Sequence, residues 1–291
     1  MKNSHHNHKR NGHTKVSIFA DKGDLINVEP LKKMVECALI SPYIKNEKTL
    51  SLLIVAKAES GKTSIMKSYR QKKGVVYVSD CTAYGLTRDI LPKIVSGEVK
   101  TIVIPDLITP LSKSTKTRQS FIAFLNNLIE EGVAKMTTYA TIWEKDVKAN
   151  VITAVTDEVL KDARHDWAKM GFLSRFIIFS YSYSQSTIME ILPRYSENGL
   201  EMQKSTFKSP SKEVDVNLPE EIADRLDPIA TRIGEQFKLY GIRAKINFRC
   251  LLKCLAHRNR KRIVTEEEFK EFLLLADFMN FKYNPLGVCA T

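Results

Sequence analysis

Leu52-Leu53-Ile54-Val55-Ala56-Lys57-Ala58-Glu59-Ser60-Gly61-Lys62-Thr63-Ser64 runs from an apolar strand candidate into a glycine-containing loop, and a helix-compatible stretch follows from Ser64 to Arg70. Four residues followed by Gly61-Lys62-Thr63 fit the P-loop spacing, with Ala56 standing where the first glycine is usual. Each part answers a physical need. Backbone N–H groups over residues 58 to 63, from Ala58, Glu59 and Ser60 onwards, can wrap a β-phosphate as the helix opens through Ser64, where unpaired donors favour an anion. Gly61 permits the tight turn, Lys62 can reach the β- and γ-phosphates, and the Thr63 hydroxyl can ligate magnesium. An ordinary strand-to-helix turn has no need of a lysine there. ATP and Mg2+ are the ligands this stretch implies.

The same alternation continues outward. Pro30 to Ser41 carries helical apolar spacing. Gly74 to Asp80, Thr101 to Leu107, Val151 to Thr156 and Phe176 to Ser180 read as strands, with helices expected at Arg88–Ser96 and Ser120–Glu131. Short apolar strands alternating with helices predict an α/β, three-layer αβα P-loop NTPase domain on a parallel sheet, whose ligands sit at the carboxyl ends of the strands. The core is expected over 15–190, followed by a Ser-, Pro-, Lys- and Glu-rich stretch from about Ser182 to Asn217, with the linker proper at 191–217. A small α-helical lid is expected over 218–291. Its helices are Leu218–Tyr240, Asn247–Asn259 and Thr265–Lys282, the last opened by a capping box at Thr265-Glu266-Glu267-Glu268.

Composition sets further bounds. The 291 residues suffice for a large domain plus a small one. No apolar run approaches the roughly 20 residues that span a bilayer, and the polar, His-rich residues 1–14 lack a signal-peptide core, so a cytoplasmic protein with a disordered tail is expected. Five cysteines without paired metal spacing read as reduced thiols, with Cys250 and Cys254 packed in a helix rather than ligating. A formal net charge of +12 points towards a polyanion partner, DNA above all.

Asp106 ends an apolar strand some 45 residues after Lys62, where a Walker B acid would hold magnesium. The neighbouring glutamate that would polarise the attacking water is missing, because the next residue is Leu107. If Pro105 occupies the metal-acid position, Asp106 is itself the base. Either way one carboxylate must come from elsewhere, with Glu130, Glu131 and Asp157 as candidates, or turnover is slow.

The order of these elements resembles AAA+ ATPases, and more narrowly the branch containing minichromosome maintenance helicases and related prophage or plasmid ATPases. The resemblance spans roughly residues 30 to 285. It rests on the P-loop, the Ile102–Asp106 and Val151–Thr156 strands, Gly171-Phe172-Leu173-Ser174-Arg175-Phe176, and the C-terminal helices with Lys261-Arg262-Ile263-Val264-Thr265-Glu266-Glu267. It implies a homo-oligomeric ring, a hexamer or another size, with ATP between subunits. Arg175 looks like an arginine finger reaching a neighbour's γ-phosphate, Thr156 like sensor 1, and Arg249 like sensor 2, with Arg243 and Lys245 as rivals.

Two inserts are placed to touch a polymer in such a ring. Cys81-Thr82-Ala83-Tyr84-Gly85-Leu86 resembles an aromatic pore loop, although Tyr84 could equally pack in the core. Gly132 to Lys148 lies where relatives of that branch carry a hairpin, and it holds Lys135, Tyr139, Trp143, Lys145 and Lys148. Lys113, Lys116 and Arg118 form a third basic cluster; such runs are often solvated faces. Lysines would meet phosphates and the aromatics could stack on bases. The resulting expectation is an ATPase acting on nucleic acid in replication, helicase loading or DNA handling, with a replication or phage protein as partner. The alternatives are a protein-remodelling ATPase gripping polypeptide through Tyr84, and an ATP-switched scaffold with little hydrolysis.

Overall fold

The computed structural model describes residues 28–130, 135–138, 141–144, 147–198, 205–236 and 238–279. The expected tail at 1–14, Glu131, Tyr139, Lys145 and Cys289 lie outside these residues. In chain order, α1 (Glu29–Ile40) leads to β1 (Ser51–Val55), α2 (Lys62–Ser68) and β2 (Val75–Tyr77). The short helices α3 (Ala83–Gly85) and α4 (Leu91–Val95) flank a π-helical turn at Leu86–Ile90. Next come β3 (Thr101–Ile104), α5 (Ile108–Leu111), α6 (Thr115–Glu130), β4 (Lys135–Thr138) and β5 (Thr141–Glu144). The chain continues through β6 (Asn150–Val155), α7 (Asp157–Lys169), β7 (Phe176–Ser180) and α8 (Gln185–Asn198). It then runs through α9 (Glu220–Asp224), α10 (Leu226–Glu235), α11 (Ile242–Arg258) and α12 (Glu266–Ala276).

Five strands make one parallel sheet in the order β2-β3-β6-β1-β7, while β4 and β5 pair separately as an antiparallel hairpin. The apolar run of β1 is continuous because both its faces are covered. Leu52 and Ile54 belong to the layer containing α1, α2, α11 and α12, and Leu53 and Val55 to the layer containing α4, α6 and α7. The architecture is therefore a three-layer α/β sandwich.

A buried amide locks the starting edge of the sheet. Asn150 Nδ2 donates to the carbonyls of Ala38 (2.8 Å) and Leu50 (2.6 Å), and its Oδ1 accepts from Thr101 Oγ1 at 2.7 Å. α1, β1, β3 and β6 are thus held together by one fully satisfied polar side chain, a high-stakes arrangement in a dry interior.

The chain departs from the sequence expectations in several places. α8 lies across the stretch expected to be a linker. Ser184 caps its first turn by accepting from the Thr187 N–H at 3.2 Å, and Ser and Pro composition had masked the apolar Ile188, Met189, Ile191 and Leu192. Residues 205–217 are pinned rather than free-running: Val214 bridges Ile44, and Asn217 bridges Ile263. The helix expected over Leu218–Tyr240 breaks in two, and α11 starts at Ile242, ahead of the expected Asn247. Gly241 explains that start. Its φ is +80°, and a Cβ there would lie 2.4 Å from the Ala230 carbonyl oxygen, so only glycine lets α10 and α11 cross so closely. The helices expected as a lid share one core with α1 and β1 through Phe248, Leu251, Leu252 and Phe272. The capping box is present: the Glu268 carboxylate accepts from the Thr265 N–H at 3.0 Å and from its hydroxyl at 2.6 Å.

Candidate nucleotide site

In a parallel sheet every strand ends on the same edge, and this order sets β6 between β1 and β3. The loop after β1, Thr156 and Asp157 after β6, and Asp106 after β3 therefore converge. β7 ends on the other side of β1 and delivers Tyr181 and Tyr183 to the same loop.

The loop has a defined shape. Gly61 is left-handed (φ +83°) and caps α2, and Glu59 is also left-handed at φ +60°, a conformation costing a non-glycine residue roughly 1–2 kcal/mol. Ala56 has no positive φ, so the absence of the usual first glycine creates no backbone conflict there. Lys62 Nζ folds back over the loop, donating to the carbonyls of Ala56 (2.7 Å) and Lys57 (2.5 Å) and to Ser60 Oγ (3.1 Å). Burial lowers the Lys62 pKa, and the carboxylates of Asp157 and then Asp106 oppose that shift. Ala58, Glu59 and Thr63 are exposed, and Ser64 is half-buried. With only seven residues, α2 contributes little dipole; anion binding here depends on the loop's own N–H groups.

The two tyrosines were not anticipated from sequence. Tyr181 Oη and Tyr183 Oη each donate to the Ser60 carbonyl at 2.9 Å, and Tyr181 also reaches Ser60 Oγ at 3.4 Å. Burial raises the Tyr181 pKa, so it remains a hydroxyl donor. The available signal was Tyr181-Ser182-Tyr183 directly after a strand that ends on the ligand edge.

Asp106 is exposed, and its Oδ1 accepts from the Ile108 N–H at 2.9 Å, just before α5. Leu107 is fully buried, so the position after Asp106 is committed to the core. Of the substitute acids, Asp157 lies in electrostatic reach of Lys62 and is only 7% exposed. Thr156 is occupied as the cap of α7, accepting from the Val159 N–H at 3.4 Å.

Glu130 belongs to a different place. It ends α6 on the edge where strands begin, accepting from Lys48 at 3.0 Å and Arg243 Nε at 2.9 Å, with Arg175 Nε at 3.5 Å. Burial would raise its pKa; the Lys48 hydrogen bond and the charges of Arg243, Lys48 and Arg175 outweigh that and hold it below the usual carboxylate range. Arg175 Nη1 also donates to the Gly171 carbonyl at 2.5 Å. Arg249 lies 3.6 Å from Glu47, which precedes β1, and Lys245 pairs with Asp227 at 2.5 Å. Within one copy, Arg175, Arg243 and Arg249 are thus on the opposite edge from Lys62, separated by the length of β1, about 16 Å.

The expected polymer contacts are divided. Tyr84 does not pack in the core: it is 66% exposed, with the Arg88 guanidinium 5.6 Å from its ring centre. Lys113 is paired with Asp80 at 2.9 Å, while Lys116 and Arg118 are exposed on the first turns of α6. Lys135 lies in the β4–β5 hairpin, paired in register with Glu144. Cys250 and Cys254 are fully buried with sulfurs 3.9 Å apart, and among the described residues no group of three or more His, Cys, Asp or Glu could hold a metal.

The hard oxygen donors of Thr63 and Asp106 suit magnesium only as a partial shell, which phosphate and water oxygens must complete. Among the described residues no helix is long and apolar enough to cross a membrane. In comparisons with protein-family models and with curated proteins, the chain matches none.

Proposed function

We propose that this chain is an ATP-hydrolysing P-loop protein of AAA+ type that works as a ring on nucleic acid. The observation that carries the reading is the convergence of three adjacent strand ends on Lys62: its own loop after β1, Asp157 after β6 and Asp106 after β3. That arrangement supplies one cation, a ring of backbone donors and two carboxylates, the complement a triphosphate and its hydrolysis require.

In this reading, Lys62 exchanges the carbonyls of Ala56 and Lys57 for phosphate oxygens, and the loop's backbone N–H groups surround the β-phosphate. Thr63 and Asp106 would hold magnesium, which would supply positive charge against the phosphates. Asp157 accepts the proton of the attacking water in place of the acid missing at Leu107, and Thr156 orients that water. Arg175 serves a neighbouring copy's site, because its own Lys62 is on the other edge of the sheet. The exposed Tyr84, Lys116 and Arg118 and the hairpin bearing Lys135 supply contacts to the polymer. Net charge of +12 supports a nucleic acid as that polymer over polypeptide.

The test is ATP hydrolysis by the wild type and by Lys62→Ala, with and without single-stranded DNA. DNA-stimulated turnover that disappears in Lys62→Ala supports the reading. Nucleotide binding without turnover favours the ATP-switched scaffold, a second reading that the buried Leu107 makes specific. Turnover without any DNA binding would redirect the assignment towards protein remodelling.

A further inference from the structure

Several cations of the chain are matched by carboxylates. Lys48, Lys113, Arg175, Arg243, Lys253 and Arg258 all have carboxylate partners. At and just past the end of α2, Lys67, Arg70 and Lys73 are exposed, lie close together and make no ion pair among the described residues. Thr63 and Lys67 share one face of α2, and Arg70, in the turn past the helix's end, continues it, with Lys73 just beyond. That face forms one wall of an open groove whose other wall is the edge strand β2, through Val75, Val76 and Tyr77. The Tyr77 hydroxyl is buried there with no hydrogen-bond partner among the described residues, although it lies in the field of Arg70.

The geometry points to a binding groove for the sugar-phosphate backbone of single-stranded nucleic acid, running along α2 and β2 from Arg70 to Thr63; this rests on the nucleic-acid reading above. A row of unmatched cations along one groove wall is a phosphate track, giving charge-assisted contacts without base selection. An extended peptide is the poorer occupant, because a three-residue edge strand offers too short a ladder to hold one by strand addition. The groove ends at Thr63, so a strand seated in it lies against the helix that begins at Lys62. Nucleic-acid occupancy and nucleotide occupancy are thereby coupled through one short helix.

The test is fluorescence anisotropy of a labelled oligo-dT on the full chain, as wild type, as the triple variant Lys67→Ala/Arg70→Ala/Lys73→Ala, and as Lys116→Ala/Arg118→Ala. Binding of a fluorescent ATP analogue reports that each variant is folded. The groove variant should bind the oligonucleotide at least tenfold more weakly, and its slope of log affinity against log salt should shrink by about 2, from three contacts at about 0.7 each. Lys116→Ala/Arg118→Ala should leave a larger slope than the triple variant. Unchanged oligo-dT affinity in a groove variant that still binds nucleotide overturns this inference alone. Failure of the wild type to bind any nucleic acid overturns both this inference and the reading on which it rests. Displacement of the oligonucleotide by polyglutamate at equal charge concentration also overturns it, in favour of an acidic polypeptide.

Discussion

The hydroxyl of Tyr181 donates to the carbonyl of Ser60 at 2.9 Å, tying the end of β7 to the loop between β1 and α2. Tyr183 donates to the same oxygen, so the loop is held from one side by two phenols and from within by Lys62. The Ser60 carbonyl is thereby fixed towards the end of β7 rather than free to turn.

Tyr181→Phe should therefore weaken nucleotide binding by roughly three- to tenfold, the cost of one buried hydrogen bond at about 1 kcal/mol. Tyr181→Phe/Tyr183→Phe should weaken it further. Titration with a fluorescent ATP analogue checks both, and thermal melting separates loop loosening from global loss.

Asp157→Asn should cut hydrolysis by about 100-fold or more, the scale of a general base, while nucleotide affinity changes by less than tenfold. Asp106→Asn should behave differently, requiring more magnesium for half-maximal activity. A magnesium titration of steady-state turnover separates the two carboxylates.

Arg175→Ala should remove about 1000-fold of turnover without abolishing nucleotide binding, the effect of a finger supplied from a neighbour. Mixing it with Lys62→Ala should restore part of the activity, because some mixed interfaces then join an intact Lys62 to an intact Arg175. Activity of the mixture against each variant alone is the measurement.

The strand, loop and helix of the candidate site could be read from sequence because they are local: β1, the loop with Gly61, and Lys62 and Thr63 follow one another, and the helical period after them needs no tertiary information. The five-strand parallel sheet followed from short apolar runs for the same reason. The relationships that complete the site are long-range. Ser60 and Tyr181 are 121 residues apart, so no window along the chain contains the pair. Glu130 and Asp157 looked equivalent as spare acids until the direction of α6 set one at each edge of the sheet. α8 was missed because Pro193 and the serines before it outweighed its apolar residues in a reading by composition.

Acid stability should reveal Glu268. Burial alone would raise its pKa, but hydrogen bonds from Asn259, Lys261 and Thr265 bring it down to about 2. A depressed carboxylate stabilises the fold fully above its unfolded pKa near 4.3, and that contribution is lost as pH falls towards 2. Glu268→Gln should thus lower stability at pH 7 by on the order of 2 kcal/mol and make the urea midpoint less sensitive to acid. Urea melts between pH 7 and pH 3 measure it.

Asn150→Ala should be among the most damaging single changes, because it strands the Ala38 and Leu50 carbonyls and the Thr101 hydroxyl in a dry interior. A loss of roughly 2–4 kcal/mol is expected. Chemical denaturation of the variant against wild type gives the value.

The central claim is that the loop from Ala56 to Ser64 binds a nucleoside triphosphate through Lys62. Equilibrium titration of a fluorescent ATP analogue with magnesium, on wild type and Lys62→Ala, tests it most directly. The account predicts saturable wild-type binding that weakens by at least 100-fold in a folded Lys62→Ala. Equal affinity in the two proteins, or no binding by the wild type, would contradict it.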